Sequence, residues 1–163
     1  MGPDRLQLQR VELKYIVSEE KALGVRDYVR SYLEIDEYGA ERPNLCYPIH
    51  SLYLDSDGLK TYWDTVNGNK NRYKLRIRYY DGRRSSPAFF EVKSRSNDAI
   101  LKKRGPVKRE AVDVLLWGHL PEASHLLAAK PRQILALQRF SELMLEIQAS
   151  PKAHVAYNRE AWV

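Results

Sequence analysis

The stretch "KLRIRYY" (74–80) sets three cations, Lys74, Arg76 and Arg78, alternately with Leu75, Ile77 and Tyr79. A period of two segregates side chains only on an extended strand, where successive residues point to opposite faces. The segment therefore predicts a strand with one apolar face, fit to pack on helices, and one face of positive charge. Like charges on neighbouring positions repel, so such a face needs either water around it or an anion against it. For one strand a solvated surface is the simpler reading. The theme recurs, however, with Lys14 in "ELKYIV", Lys93 and Arg95 in "FFEVKSR", and Lys102 and Arg104 in "ILKKRGPV". Several basic strands in one sheet point to a polyanion site.

The remaining segments supply the layers. "LQLQRVELKYIV" (6–17) alternates as a strand, with Val11, Leu13, Tyr15 and Val17 on one face and Arg10, Glu12 and Lys14 on the other. Ser18 followed by Glu19 and Glu20 predicts a helix start, continued amphipathically by Ala22, Val25, Tyr28, Val29, Tyr32 and Leu33. A strand ending near Asp55, a helical segment over 59–65 and a Gly/Asn loop over 67–71 lead into the basic strand, and Asp81-Gly82 marks a turn after it. "PAFFEVKSR" and "AILKKRGPVKRE" follow as strands joined by "SND". Beyond Arg109 come short helices at "EAVDVLLWGH" and "PEASHLLAA". A longer one follows, with Ile134, Leu137, Phe140, Met144 and Ile147 in one stripe, and then a last strand, "KAHVAYNREAWV". This order predicts an α+β fold with an antiparallel meander, as a single domain over 1–163.

No apolar run has the length of a membrane span or the form of a secretory signal, so a cytoplasmic protein without membrane insertion is expected. The one cysteine, Cys46, cannot close an intrachain disulfide and, among apolar neighbours, reads as a small core residue rather than a nucleophile. His50, His119, His125 and His154 have no paired spacing suited to zinc. Lys and Arg number 27 against 21 Asp and Glu, a formal charge of +6 that favours a polyanionic partner. Nucleic acid is the competing polyanion. Tyr15, Tyr79 and Phe90 are nevertheless out of phase with Lys14, Arg78 and Lys93, which puts them in the packing layer and disfavours base stacking. Glu12 and Glu91 each stand two residues before a lysine and share its face. They could hold a divalent metal beside bound phosphates, or hold the lysines in salt bridges.

The series "ELKYIV", "SLYLDS", "YKLRIRYY", "FFEVKSR", "ILKKRGPV" and "AYNREAWV" resembles, in that order, the VTC domain, the catalytic domain of the vacuolar transporter chaperone polyphosphate polymerases. That family belongs to the triphosphate tunnel metalloenzymes, relatives of the CYTH proteins. The resemblance implies an antiparallel sheet forming a tunnel-type barrel with helices packed outside. It implies phosphate contacts from Lys14, Lys74, Arg76, Arg78, Lys93 and Arg159, with Lys102 or Lys103 as the basic position of "ILKKR". Arg76, Arg78 and Lys93 would be the catalytic cations, and Glu12 and Glu91 the support for Mn or Mg. The implied ligands are ATP, inorganic polyphosphate and pyrophosphate. The implied reaction is transfer of the ATP γ-phosphate to a polyphosphate end, with a non-catalytic polyphosphate-binding module and a CYTH-like triphosphate hydrolase as alternatives. Family members continue beyond a "YNRE"-like strand through further strands, whereas this sequence stops at Val163. An incomplete tunnel is therefore expected, with free sheet edges that invite a second copy.

Overall fold

The computed structural model describes residues 13–97 and 99–163, and the chain divides into two compact units, residues 1–46 with 160–163 and residues 47–159.

In the first unit Ser18 caps α1 (Glu19–Val29), its side chain accepting from the Lys21 N–H, with Glu19 and Glu20 in the first turn where the helix dipole favours them. No residue of α1 is buried. Its apolar stripe is therefore exposed, against the packing that its spacing predicts. Asp36 caps α2 (Glu37–Ala40) through a 2.8 Å bond from the Gly39 N–H. A β-carbon on Gly39 would stand 2.8 Å from the Leu45 carbonyl oxygen, so only glycine fits there. Glu34 and Val163 exchange backbone hydrogen bonds, and the Glu160 carboxylate accepts from both Arg26 and the Trp162 indole.

Two expectations are corrected in this unit. Residues 13–18 form no strand: the chain there has no ladder partner among the described residues and runs straight into the Ser18 cap. The rest of that expected strand, with Glu12, lies outside the described residues. Cys46 is half-buried and outside the core cluster, its thiol 3.8 Å from Glu160, with burial pushing its pKa upward.

The second unit contains β1 (Tyr47–Asp55), α3 (Lys60–Val66), β2 (Asn71–Tyr79), β3 (Ala88–Ser96), β4 (Ala99–Val107), α4 (Val112–Leu116), α5 (Pro131–Glu146) and β5 (Ser150–Arg159). The β1–α3 corner is fixed by buried Asp55, whose carboxylate accepts from the Thr61 and Tyr62 N–H groups and from the Thr61 hydroxyl. The strands form one antiparallel sheet in the order β4-β3-β2-β1-β5. The meander is as expected, but the sheet is open. Among the described residues β4 and β5 are its edges, and the tunnel-type barrel is not closed. β5 also ends at Arg159, short of the chain's last residues.

One face of this sheet is the core. Leu75 and Ile77 of β2 with Phe90 and Val92 of β3 pack against Leu137, Phe140, Leu143 and Met144 of α5, and the Phe90 and Phe140 rings meet edge to face at 4.8 Å. Each such side chain, fully buried, contributes about 1.5–3 kcal/mol. Gly105 in β4 lets α5 come close: a β-carbon there would meet the Gln133 carbonyl at 3.2 Å.

Candidate anion-binding face

Register places the cations of three strands in rungs across the face opposite α5. Lys74 lies opposite Lys93, and Lys93 opposite Lys102. The next rung sets Tyr53, Arg76, Glu91 and Arg104 side by side. The rung after it joins Ser51, Arg78 and Phe89. Directly opposed cross-strand residues stand about 4.5–5.5 Å apart, so the first rung is a row of like charges at close range. Neither Lys74 nor Lys93 has an ion-pair partner among the described residues.

Glu91 is the internal counter-charge. Its side chain is 0% exposed, with Oε2 accepting from Arg76 Nε at 2.7 Å, and Oε1 3.3 Å from Lys102 Nζ and 3.2 Å from Arg104 Nε. Burial alone would raise its pKa, but the charges of Arg76, Lys102 and Arg78 outweigh that and hold the carboxyl below its ordinary value. Arg76 answers in the opposite sense: burial disfavours its charge, yet Glu91 and Tyr53 raise its pKa. Lys102 goes down instead, because burial and the neighbouring Arg104 outweigh Glu91. One carboxylate cannot neutralise three cations. Glu91 Oε1 and Arg104 Nε are also buried without a hydrogen bond to each other, so the rung is ion-paired but not saturated.

The guanidiniums are held in place. Arg76 Nη1 donates to the Tyr53 hydroxyl at 3.4 Å, and Arg78, only 8% exposed, donates from Nε to Ser51 Oγ at 3.2 Å. Arg104 lies 3.5 Å over the Phe89 ring and donates to the Tyr80 hydroxyl at 3.0 Å. Fixed donors of this kind can meet phosphate oxygens without first losing side-chain freedom.

The expected phosphate-binding residues fall in four places. Lys74, Arg76, Arg78, Lys93 and Lys102 are brought together on one face. Arg159, opposite Tyr47, is on that face too, but about 13 Å along β1 from the Arg78 rung. Lys103 is opposite Val92 and so belongs to the other face, and of the two lysines in "ILKKR" Lys102 is the one that shares a face with Lys93. Lys14 is exposed in the first unit, outside any strand. The role of Arg104 beside Glu91 went unassigned in the sequence reading, although its parity with Lys102 was the available signal.

The implied Mn or Mg does not fit these residues. Among the described residues no three His, Cys, Asp or Glu side chains cluster as a metal site, and both Glu91 oxygens already face cations. The packing layer agrees with the phase argument for Phe90, while Phe89 and Tyr80 share the cationic face and are occupied by Arg104. No helix among the described residues is long and apolar enough to cross a membrane.

A family model, described as the VTC domain, matches residues 9–163. No curated protein matches the chain.

Proposed function

The chain belongs to the VTC domain family, which is associated with polyphosphate metabolism, and from that premise we propose that its cationic face binds inorganic polyphosphate or a nucleoside triphosphate. The observation that carries this reading is the rung Lys74–Lys93–Lys102, three ammonium groups in register of which only Lys102 meets a carboxylate, that of Glu91 on the next rung. In water such a row costs free energy; against a chain of phosphates each ammonium gains a charge-assisted contact, typically about 1.5–3 kcal/mol. Arg76 and Arg78 add planar donors beside it, and Lys93 joins the two rungs along β3. The rings beside Arg104, Phe89 and Tyr80, are already covered by its guanidinium, which favours condensed phosphate over base stacking at that rung.

Phosphoryl transfer from ATP to a polyphosphate end is the reaction the family resemblance implies, and held guanidiniums at Arg76 and Arg78 suit charge that develops on a transferred phosphoryl group. Glu91 is ion-paired on both oxygens and Glu12 lies outside the described residues, so binding is the function proposed here and turnover is its test. Incubation with ATP and Mn should be assayed for long-chain polyphosphate. Binding without product makes the protein a polyphosphate-binding module. Affinity for polyphosphate should fall at least tenfold, about 1.4 kcal/mol, in Arg76→Ala with Arg78→Ala. Retained affinity would sink the site assignment.

A further inference from the structure

Three rings meet where β1, β2 and β5 run side by side. His50 of β1 is opposite Tyr79 of β2, and His154 of β5 is opposite Leu52 of β1. The ladder thus joins two histidines 104 residues apart that no sequence spacing connects. His50 and Leu52 have the parity opposite to Ser51 and Tyr53, which puts the pair on the side of the sheet away from the Arg76 and Arg78 rungs. The rings are parallel to within 5°, with His50 stacked on Tyr79 at 4.9 Å and 5.4 Å from His154. Arg109 lies 4.4 Å over the Tyr79 ring and donates to the Asp81 carbonyl, so the ring behind His50 is held. His154 is exposed and His50 half-buried, and solutes reach both. His50 Nδ1 stands 3.3 Å from His154 Nε2, beyond the usual span of about 2.7–3.2 Å for a bond from N–H. Two imidazole nitrogens on one tetrahedral ion, each bonded at about 2.0–2.1 Å, stand about 3.3–3.4 Å apart. The Tyr79 hydroxyl is also 3.3 Å from His154 Nε2. A ring nitrogen makes one hydrogen bond, so His154 Nε2 has one more polar neighbour than it can use.

We propose that His50 Nδ1 and His154 Nε2 form a two-imidazole site for a transition-metal dication of the zinc class. Nitrogen ligands suit Zn, Ni and Cu, whereas Mg and Mn take oxygen, so this site is distinct from the Mn or Mg that the family resemblance implies. It lies on the other side of the sheet and does not rest on the polyphosphate reading. No third His, Cys, Asp or Glu side chain joins the pair among the described residues, so water completes the shell. The ion tethers β5 to β1. All ten residues of β5 are exposed or half-buried, and β1 is its one ladder partner among the described residues, so the tether acts where the sheet is least covered. An ion held by the paired strands and not by the unfolded chain stabilises the fold.

The test titrates the protein, carrying no histidine tag, with zinc chloride by calorimetry at about pH 7.5, where an ordinary imidazole is neutral and can ligate. One zinc per chain should bind with a Kd below about 100 μM, and magnesium and manganese at least about tenfold more weakly. His50→Gln and His154→Gln, each alone, should weaken zinc at least about tenfold, while the exposed control His119→Gln should stay within about twofold. Saturating zinc should raise the melting temperature by about 3 °C or more in the unaltered protein and in neither His50→Gln nor His154→Gln. No zinc binding up to about 1 mM would leave the pair as an N–H···N hydrogen bond and overturn the site. Affinity that survives both exchanges would put the ion elsewhere and overturn it too, as would equal affinity for magnesium. Should either exchange loosen β5, the unaltered protein loaded with Cu(II) still decides the matter by spin-echo spectroscopy. Coupling to two imidazole nitrogens supports the site, and coupling to one or none overturns it.

Discussion

Leu75, Ile77, Phe90 and Val92 on one side of the sheet meet α5 and are closed off from water, whereas on the other side Arg76, Lys102 and Arg104 share one buried carboxylate and Lys74 and Lys93 have no ion-pair partner among the described residues. The same two strands, β2 and β3, build both surfaces. The first surface satisfies itself, since apolar atoms need only one another. The second is left with more positive charge than Glu91 can balance, so its lowest free energy requires something from outside. Stability and the proposed binding would thereby be divided between opposite sides of the same strands, and substitutions should separate them.

The largest effect belongs to the core side. Phe140→Ala removes a side chain that is 0% exposed and packed against Phe90, and should cost about 3–5 kcal/mol. Denaturant titration measures this. Polyphosphate affinity of the protein that remains folded should not change, and a parallel loss of affinity would mean that the two faces are not separable.

Glu91→Gln tests the cationic side. It leaves Arg76, Lys102 and Arg104 crowded without their counter-charge, and should cost roughly 2–3 kcal/mol, less than a wholly buried pair because its partners reach water. Added polyphosphate should raise the melting temperature of this variant more than that of the unaltered protein, since the ligand replaces the missing charge. The acid arm has a definite sign. Because the native Glu91 pKa is lowered, its contribution is fully present above the ordinary carboxylate value of 4.5 and is lost as pH falls through the lower native one. In Glu91→Gln that part of the acid destabilisation should disappear.

How much of this was legible beforehand depended on what alternation can carry. It assigned Lys74, Arg76 and Arg78 to one face and Leu75 and Ile77 to the other, because parity is local to a strand. It could not choose between Lys102 and Lys103, because that choice depends on the register of β4 against β3. The register is set by the tight turn between Ser96 and Ala99, where Asn97 takes a left-handed conformation. Nor could it tell a metal-supporting Glu91 from an ion-paired one, since Arg76 and Arg104 approach from neighbouring strands. The 6–17 alternation shows the converse limit: a period of two permits a strand, but residues 13–17 form none without a ladder partner.

Lys74→Gln should scarcely alter stability, or raise it by about 0.5 kcal/mol, because it removes a charge directly opposite Lys93. It should weaken polyphosphate binding all the same. Opposite signs in the two measurements would mark Lys74 as a residue kept for the ligand. A loss of stability would mean instead that the ammonium already has a use in the free fold.

The smallest effect is at alkaline pH and is read from Lys102. Burial, helped by Arg104, holds its pKa below the ordinary lysine value of 10.5 despite Glu91. A bound phosphate chain adds negative charge beside the ammonium and raises that pKa, so the complex holds the proton more firmly than the free protein does. By linkage, binding should take up protons on the alkaline side, and affinity should begin to weaken before pH reaches 10.5. Calorimetry in two buffers of different ionisation enthalpy measures the uptake. Lys102→Arg, which stays charged throughout this range, should abolish the uptake while keeping the cation, and an unchanged uptake would move the titrating group to another rung.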